Sequence, residues 1–193
     1  MSGKRPVLIA VAALAVFVGF VVLTSSGGSG AKGPQVGTQM PPFAAPLAAS
    51  DLTGDANISA AACAVRDPRA LNSCRAVAAQ PLVLGFLATN DGSCRKLPAS
   101  LQRLRNLQPQ VAVAAIGIEG PRDDLAALAG IVPEVAVAWD RDGALSNRYG
   151  VAVCPTVVVA DKGGKVAGVV IGDEALDPPA LSARVKSLLA SAR

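Results

Sequence analysis

Hydrophobic positions fall into three regimes along this 193-residue chain. From Pro6 to Thr24 the sequence PVLIAVAALAVFVGFVVLT holds no charge, and Lys4 and Arg5 stand just before it. That length approaches the roughly twenty residues needed to cross a hydrocarbon core. It exceeds the about 7–15 residues of a signal-peptide apolar region. Ser25 to Gly33 (SSGGSGAKG) then reads as a flexible linker. Beyond it, short apolar runs alternate with segments of helical period. Pro81 to Ala88 (PLVLGFLA) and Val111 to Ile118 (VAVAAIGI) are apolar almost throughout, the pattern of buried central strands. Between them Leu97, Leu101, Leu104 and Leu107 recur at helical spacing, behind the capping candidates Asp91 and Ser93. Pro98 falls in that helix's first turns and implies a bend or a short first segment.

The pattern continues in the same rhythm. Gly120-Pro121 opens a helix over Arg122 to Gly130, and Val135 to Trp139 forms a third strand. The turn Asp140-Arg-Asp-Gly143 leads to a short helix ending at Tyr149. Pro155 to Ala160 and Lys165 to Ile171 flank Asp161-Lys-Gly-Gly164 and predict a hairpin. A last amphipathic helix runs from about Pro178 to Ala192. Such alternation predicts an α/β sandwich with a mixed sheet, parallel crossovers first and an antiparallel pair after them. Arg122-Asp123-Asp124 reads as a solvated helix start, Trp139 as core or rim, and Arg184 and Lys186 as the polar face of the last helix. Ala44 to Ala62 is too rich in alanine to show a period.

Composition narrows the chemistry. Hydrophobic residues are 51% of the chain and aromatics only 3%, so the core is built from Ala, Val and Leu. The net charge of +4 is spread along the chain, with no basic-and-aromatic stripe, which argues against nucleic-acid binding. The chain holds no histidine, which removes Ser-His-Asp and Cys-His nucleophiles and every His-ligated metal. The four cysteines lack the short paired spacings of zinc sites, so neither metal nor cofactor is expected.

Thiol chemistry is what remains. Cys63 and Cys74 lie in a loop-like sequence, AACAVRDPRALNSCRA, and read as a structural disulfide stapling an insertion. Closing that short loop contributes roughly 2–3 kcal/mol on the chain-entropy model. An even cysteine count behind an apolar anchor places the domain in an oxidising, extracytoplasmic space, with Lys4 and Arg5 inside. The organisation expected is a cytoplasmic tail over 1–5, a transmembrane signal-anchor over 6–24 and a linker over 25–35. One domain follows over 36–193, with the stapled insertion at about 51–80. Cys94 sits in a helix's first turn, where the backbone dipole favours a thiolate, yet no second cysteine lies within three residues of it.

Several landmarks, in order, resemble a known family. Val36-Gly37 to Met40-Pro-Pro-Phe43, Phe86-Leu-Ala-Thr89, Asp140-Arg-Asp-Gly143, Tyr149-Gly-Val151, Pro155-Thr156 and Asp161-Lys-Gly-Gly164 are similar to segments of the thioredoxin-like redoxin group. That group includes the membrane-anchored, extracytoplasmic thioredoxins of cytochrome maturation. The resemblance implies a thioredoxin-like fold with helices flanking a mixed central sheet. It places Asp91 where the first cysteine of Cys-x-x-Cys would stand and Cys94 at the second, a degenerate motif, with Asn90 where a tryptophan is usual. It further implies a cis bond at Pro155, with Cys154 facing the site and meeting Cys94 across the strand-to-helix turn. On this reading Cys94, Cys154 and Pro155 form a redox-active centre, with Cys94 as the thiolate flanked by Arg95 and Lys96. It would act by thiol–disulfide exchange or redox sensing on extracytoplasmic protein thiols and disulfides. Asp91 would oppose that thiolate and is read as a helix cap. The alternative is an inactive binding or structural module with two inert disulfides. A third, peroxiredoxin-like reading needs P-x-x-x-T-x-x-C, and Leu87 and Asp91 occupy its proline and threonine positions.

Overall fold

A computed structural model describes residues 33–192. The tail over 1–5, the proposed span from Pro6 to Thr24 and most of the linker lie outside the described residues. Among the described residues no helix is long and apolar enough to cross a membrane.

The apolar runs form a five-stranded sheet, as their pattern predicts. Its strands are β3 (Leu82–Ala88), β4 (Ala112–Glu119), β5 (Ala136–Trp139), β6 (Thr156–Ala160) and β7 (Val166–Ile171). Their order in the sheet is β5-β4-β3-β6-β7. β3, β4 and β5 pair in parallel, whereas β6 pairs antiparallel with β3 and β7 antiparallel with β6. Every residue of β3 is buried, because both faces of the sheet are covered.

One face packs α2 (Leu97–Leu107), α3 (Arg122–Ile131) and α5 (Pro178–Ser191). There Val83, Leu87 and Val157 meet Leu97, Leu101, Leu104, Leu125, Leu181 and Val185. The other face sets Leu84, Phe86 and Ile116 against Phe43, Val77 and Tyr149. Tyr149 ends α4 (Ala144–Tyr149), packs on Phe43 and Phe86, and donates from its hydroxyl to the Pro41 carbonyl at 2.7 Å. Burial pushes its phenol above the ordinary value. Few aromatics serve, but all three of these are in the core.

The α2 face comes so close to β3 that position 85 has no room for a side chain. A Cβ on Gly85 would lie 2.8 Å from Leu97 Cδ2 and 2.9 Å from Leu101 Cδ1. Gly85→Ala is expected to cost about 1–3 kcal/mol by overpacking. A lower denaturant midpoint at unchanged slope would show it, and an unchanged midpoint would contradict that packing.

Two regions depart from the sequence reading. The stretch from Cys63 onward is not loop throughout. A 3-10 turn over Ala60–Ala64 is followed by β2 (Ala70–Asn72), which pairs antiparallel with β1 (Ala44–Pro46), and by α1 (Ser73–Ala79). These elements are too short to show a period, and Asn72 supplies the helix cap, accepting from the Arg75 amide at 3.1 Å. Arg122 is also not a solvated residue. Its guanidinium donates to the carbonyls of Ala48, Leu52, Leu47 and Ser50 at 2.6–3.1 Å, and its Cζ lies 5.2 Å from the Trp139 ring centroid. It pins the loop before the insertion to the body of the domain.

Candidate functional site: a disulfide between the β3 exit and the cis-proline loop

The site forms because β3 and β6 are antiparallel neighbours. Phe86 pairs with Thr156, so the carboxyl end of β3 meets the amino end of β6. The chain leaving β3 turns through Thr89 to Ser93 and enters helix at Cys94. A 3-10 turn over Cys94–Lys96 precedes α2, and Pro98 lies in the first turn of α2, where its missing N–H costs nothing. Across the gap Cys154 precedes Pro155 through a cis peptide bond. Thr156 Oγ1 donates to the Val153 carbonyl at 2.7 Å, and the Gly172 amide donates to the Pro155 carbonyl at 3.0 Å. Those two bonds fix the loop.

Cys94 and Cys154 form a disulfide, with Cα atoms 5.6 Å apart and a sequence separation of 60. Cys63 and Cys74 form the other, at 5.3 Å. Both separations lie within the range a disulfide bridges without backbone movement. Among the described residues no cysteine is free. The two cysteines of the cross-site bond differ in burial. Cys94 is fully buried, whereas Cys154 is half-buried beside the exposed Val153.

Asp91 takes the capping position. Its Oδ1 accepts from the amides of Ser93 at 2.8 Å and Cys94 at 3.0 Å. Those bonds, the one from Cys94 foremost, hold its carboxyl below the usual carboxylate range. The sign follows directly. A depressed pKa means the cap contributes its stability above about pH 4, the unfolded value, and loses it as pH falls through the lower folded one. Asp91 is therefore ionised at neutral pH, close to the buried sulfur.

A groove of about 420 Å3 opens beside Cys154. Ile118, Val151 and Val153 line it with apolar surface, and Asp91 and Glu119 give it acidic groups, with no basic residue in the lining. Asn90 Nδ2 donates to Glu119 Oε2 at 3.1 Å, and the Thr89 amide donates to the Glu119 carbonyl at 3.1 Å. Gly120, at φ +102°, lets β4 turn away where Thr89 Oγ1 would collide with any Cβ. The sequence reading did not find Glu119 or Ser146, another lining residue. The available signal was topological, since sites in α/β sheets gather outside the carboxyl ends of parallel strands. Asp140 works at a remove: its two oxygens accept from the Leu145 and Ser146 amides at 3.0 and 2.9 Å and so start α4, which leads into the Cys154 loop.

No protein-family model and no curated protein matches the chain. Solved structures do. The Chlorobium tepidum protein named as a thiol:disulfide interchange protein DsbE is 21% identical, with a TM-score of 0.60 over 82% of this chain and 97% of its own. A secreted Mycobacterium tuberculosis disulfide oxidoreductase homologous to Escherichia coli DsbE is 21% identical, with a TM-score of 0.53 over 61% of this chain and 88% of its own. The peroxidoxin BcpB of Mycobacterium tuberculosis is 16% identical, with a TM-score of 0.57 over 82% and 98%. At these identities the likeness concerns architecture, and it agrees with the mixed central sheet and the flanking helices: the chain has a thioredoxin-like fold.

Proposed function

We propose that the chain is a membrane-anchored, extracytoplasmic thiol–disulfide exchange protein working through Cys154 and Cys94 on protein thiols and disulfides. One observation carries this reading: a disulfide joins the helix start to the cis-proline loop, where the resemblance puts the active site, and Cys154 lines a groove there. The uncharged run behind Lys4 and Arg5 supports the anchor, and the two disulfides support an oxidising compartment. Protease treatment of intact cells checks the topology, since a protected domain would refute it.

The difference in burial supports the following order of events. A substrate thiolate attacks Cys154 Sγ, the Cys94–Cys154 bond breaks, and its electron pair leaves on Cys94. The substrate is then held to Cys154 as a mixed disulfide. A second substrate thiolate attacks the substrate's own sulfur and releases the Cys154 thiolate, so the substrate is oxidised and the protein's pair reduced. The reverse sequence reduces a substrate disulfide. Pro155 follows Cys154 through a cis bond, opposite the helix start that carries Cys94.

Asp91 restrains this chemistry, because its charge is bound to the amide of the residue whose sulfur must leave as a thiolate. Asp91→Asn keeps an acceptor oxygen for the turn and removes the charge. We expect it to raise the exchange rate several-fold, read by stopped-flow with a small dithiol over pH 5–9. An unchanged pH profile would leave Asp91 as a cap alone.

The burial of Cys94 and the carboxylate beside it favour a second reading, in which the bond is a lock and the domain a binding module. Its reduction potential separates the two. Structural disulfides lie below about −300 mV, and exchanging ones above. Peroxide reduction has less support, since Leu87 and Asp91 serve as buried strand and cap.

A further inference from the structure

We infer that Cys63–Cys74 is a second thiol–disulfide exchange site, and that the co-reactants it prefers are anionic thiols. The inference stands independently of the reading for Cys94–Cys154. Cys63 is exposed and Cys74 half-buried, so an external thiol has direct access to this bond. The charges around it are basic. From Ser59 to Ala79 the charged residues are Arg66, Asp67, Arg69 and Arg75. Arg69 pairs with two carboxylates, Asp67 at 2.8 Å and Asp51 at 3.1 Å, whereas among the described residues Arg66 and Arg75 enter no ion pair and leave the surroundings net basic. Arg66 Nη1 donates to the Cys63 carbonyl at 2.8 Å, which sets that guanidinium against the cysteine itself. Arg75 directly follows Cys74 and is exposed, so a second guanidinium stands next to the bond in sequence. Exposed thiols in electropositive surroundings are the reactive kind.

The frame also survives loss of the bond. Asn72 is buried, donates to the carbonyls of Ala62 and Val65 on either side of Cys63, and accepts from the Arg75 amide after Cys74. It brackets both cysteines without help from the sulfurs. Reduction therefore leaves two thiols in place, ready to close again, which a mere staple does not require.

The step balances with the thiol as reductant. A thiolate attacks Cys63 Sγ, the bond to Cys74 breaks, and Cys74 leaves with the electron pair. A second thiol removes the first as a symmetrical disulfide, and the protein's pair is reduced by two electrons.

The test uses the oxidised full chain. Mercaptoethanesulfonate and cysteamine, matched in thiolate concentration, are each applied, quenched with acid, and followed by alkylation and peptide mapping. The expected result is opening of Cys63–Cys74 at least about threefold faster with the sulfonate, with the bias abolished at high salt and in Arg66→Ala/Arg75→Ala. Equal rates for the two thiols, or a Cys63–Cys74 bond that stays closed while Cys94–Cys154 opens, would overturn the inference. The wild-type bias and its salt dependence decide the matter if the double variant does not fold. Exchange at Cys154, whose groove carries Asp91 and Glu119, is read from separate peptides in the same samples. Its success or failure is scored apart.

Discussion

Cys94→Ser is expected to turn the protein into a trap. A substrate thiol would still be captured at Cys154 when the variant is presented with a protein disulfide, because Cys154 lines the groove. Release would then wait for an external thiol. A resolving thiol held at disulfide distance in fixed geometry competes at effective concentrations far above the millimolar range of external thiols. Turnover of insulin or a small disulfide should therefore fall at least about a hundredfold, while mixed disulfides accumulate on Cys154. Cys154→Ser should lose turnover to the same extent and trap nothing, since Cys94 is fully buried. Both losses are read by turbidity or chromophore release, and the trap by mass spectrometry after acid quenching. Unchanged turnover in Cys94→Ser would remove the pair from catalysis. Low turnover in the parent, with no adducts in either variant, would support the lock.

The asymmetry between the two cysteines could not be seen in the sequence. The continuous apolar runs made β3, β4 and the β6–β7 hairpin legible, because strands buried on both faces must be apolar at nearly every position. The meeting of Cys94 with Cys154 came from family landmarks, and the Phe86–Thr156 register explains it physically. Which sulfur is reachable depends on how deep α2 sits against β3, and no local pattern encodes that. Glu119 enters the groove only because β4 ends beside β3. The insertion was illegible for a different reason. β1 and β2 have three residues each, too few for a period, and their pairing is 26 residues apart or so in sequence. Their order rests on side chains that bond far away, Ser73 to Phe43 and Arg122 to the loop from Leu47 to Leu52.

Arg122→Ala should expose that dependence as the largest loss of stability from a single surface-accessible side chain. The guanidinium satisfies four backbone carbonyls that lie 70–75 residues away in sequence. Hydrogen bonds from a charged donor contribute about 1.5–3 kcal/mol each when intact, but water can reach part of this half-buried loop once the side chain is gone. The expected net cost is about 2–4 kcal/mol, or a melting point lower by about 5–15 °C for a domain of this size. Arg122→Lys should recover less than half of it, because a single ammonium cannot reproduce the planar fork that spans four acceptors. Trp139, the one tryptophan in the chain, reports the event locally. Losing the cation over its ring and freeing the neighbouring loop should shift its emission to the red before global unfolding begins. Amide exchange should rise first at Ala48, whose N–H donates to the Val137 carbonyl at 2.9 Å and so ties the loop to β5. If the Arg122→Ala melt and the Trp139 emission both matched the parent, the loop would be held by its backbone bonds to β5 and by β1–β2 pairing, and the guanidinium would be a passenger.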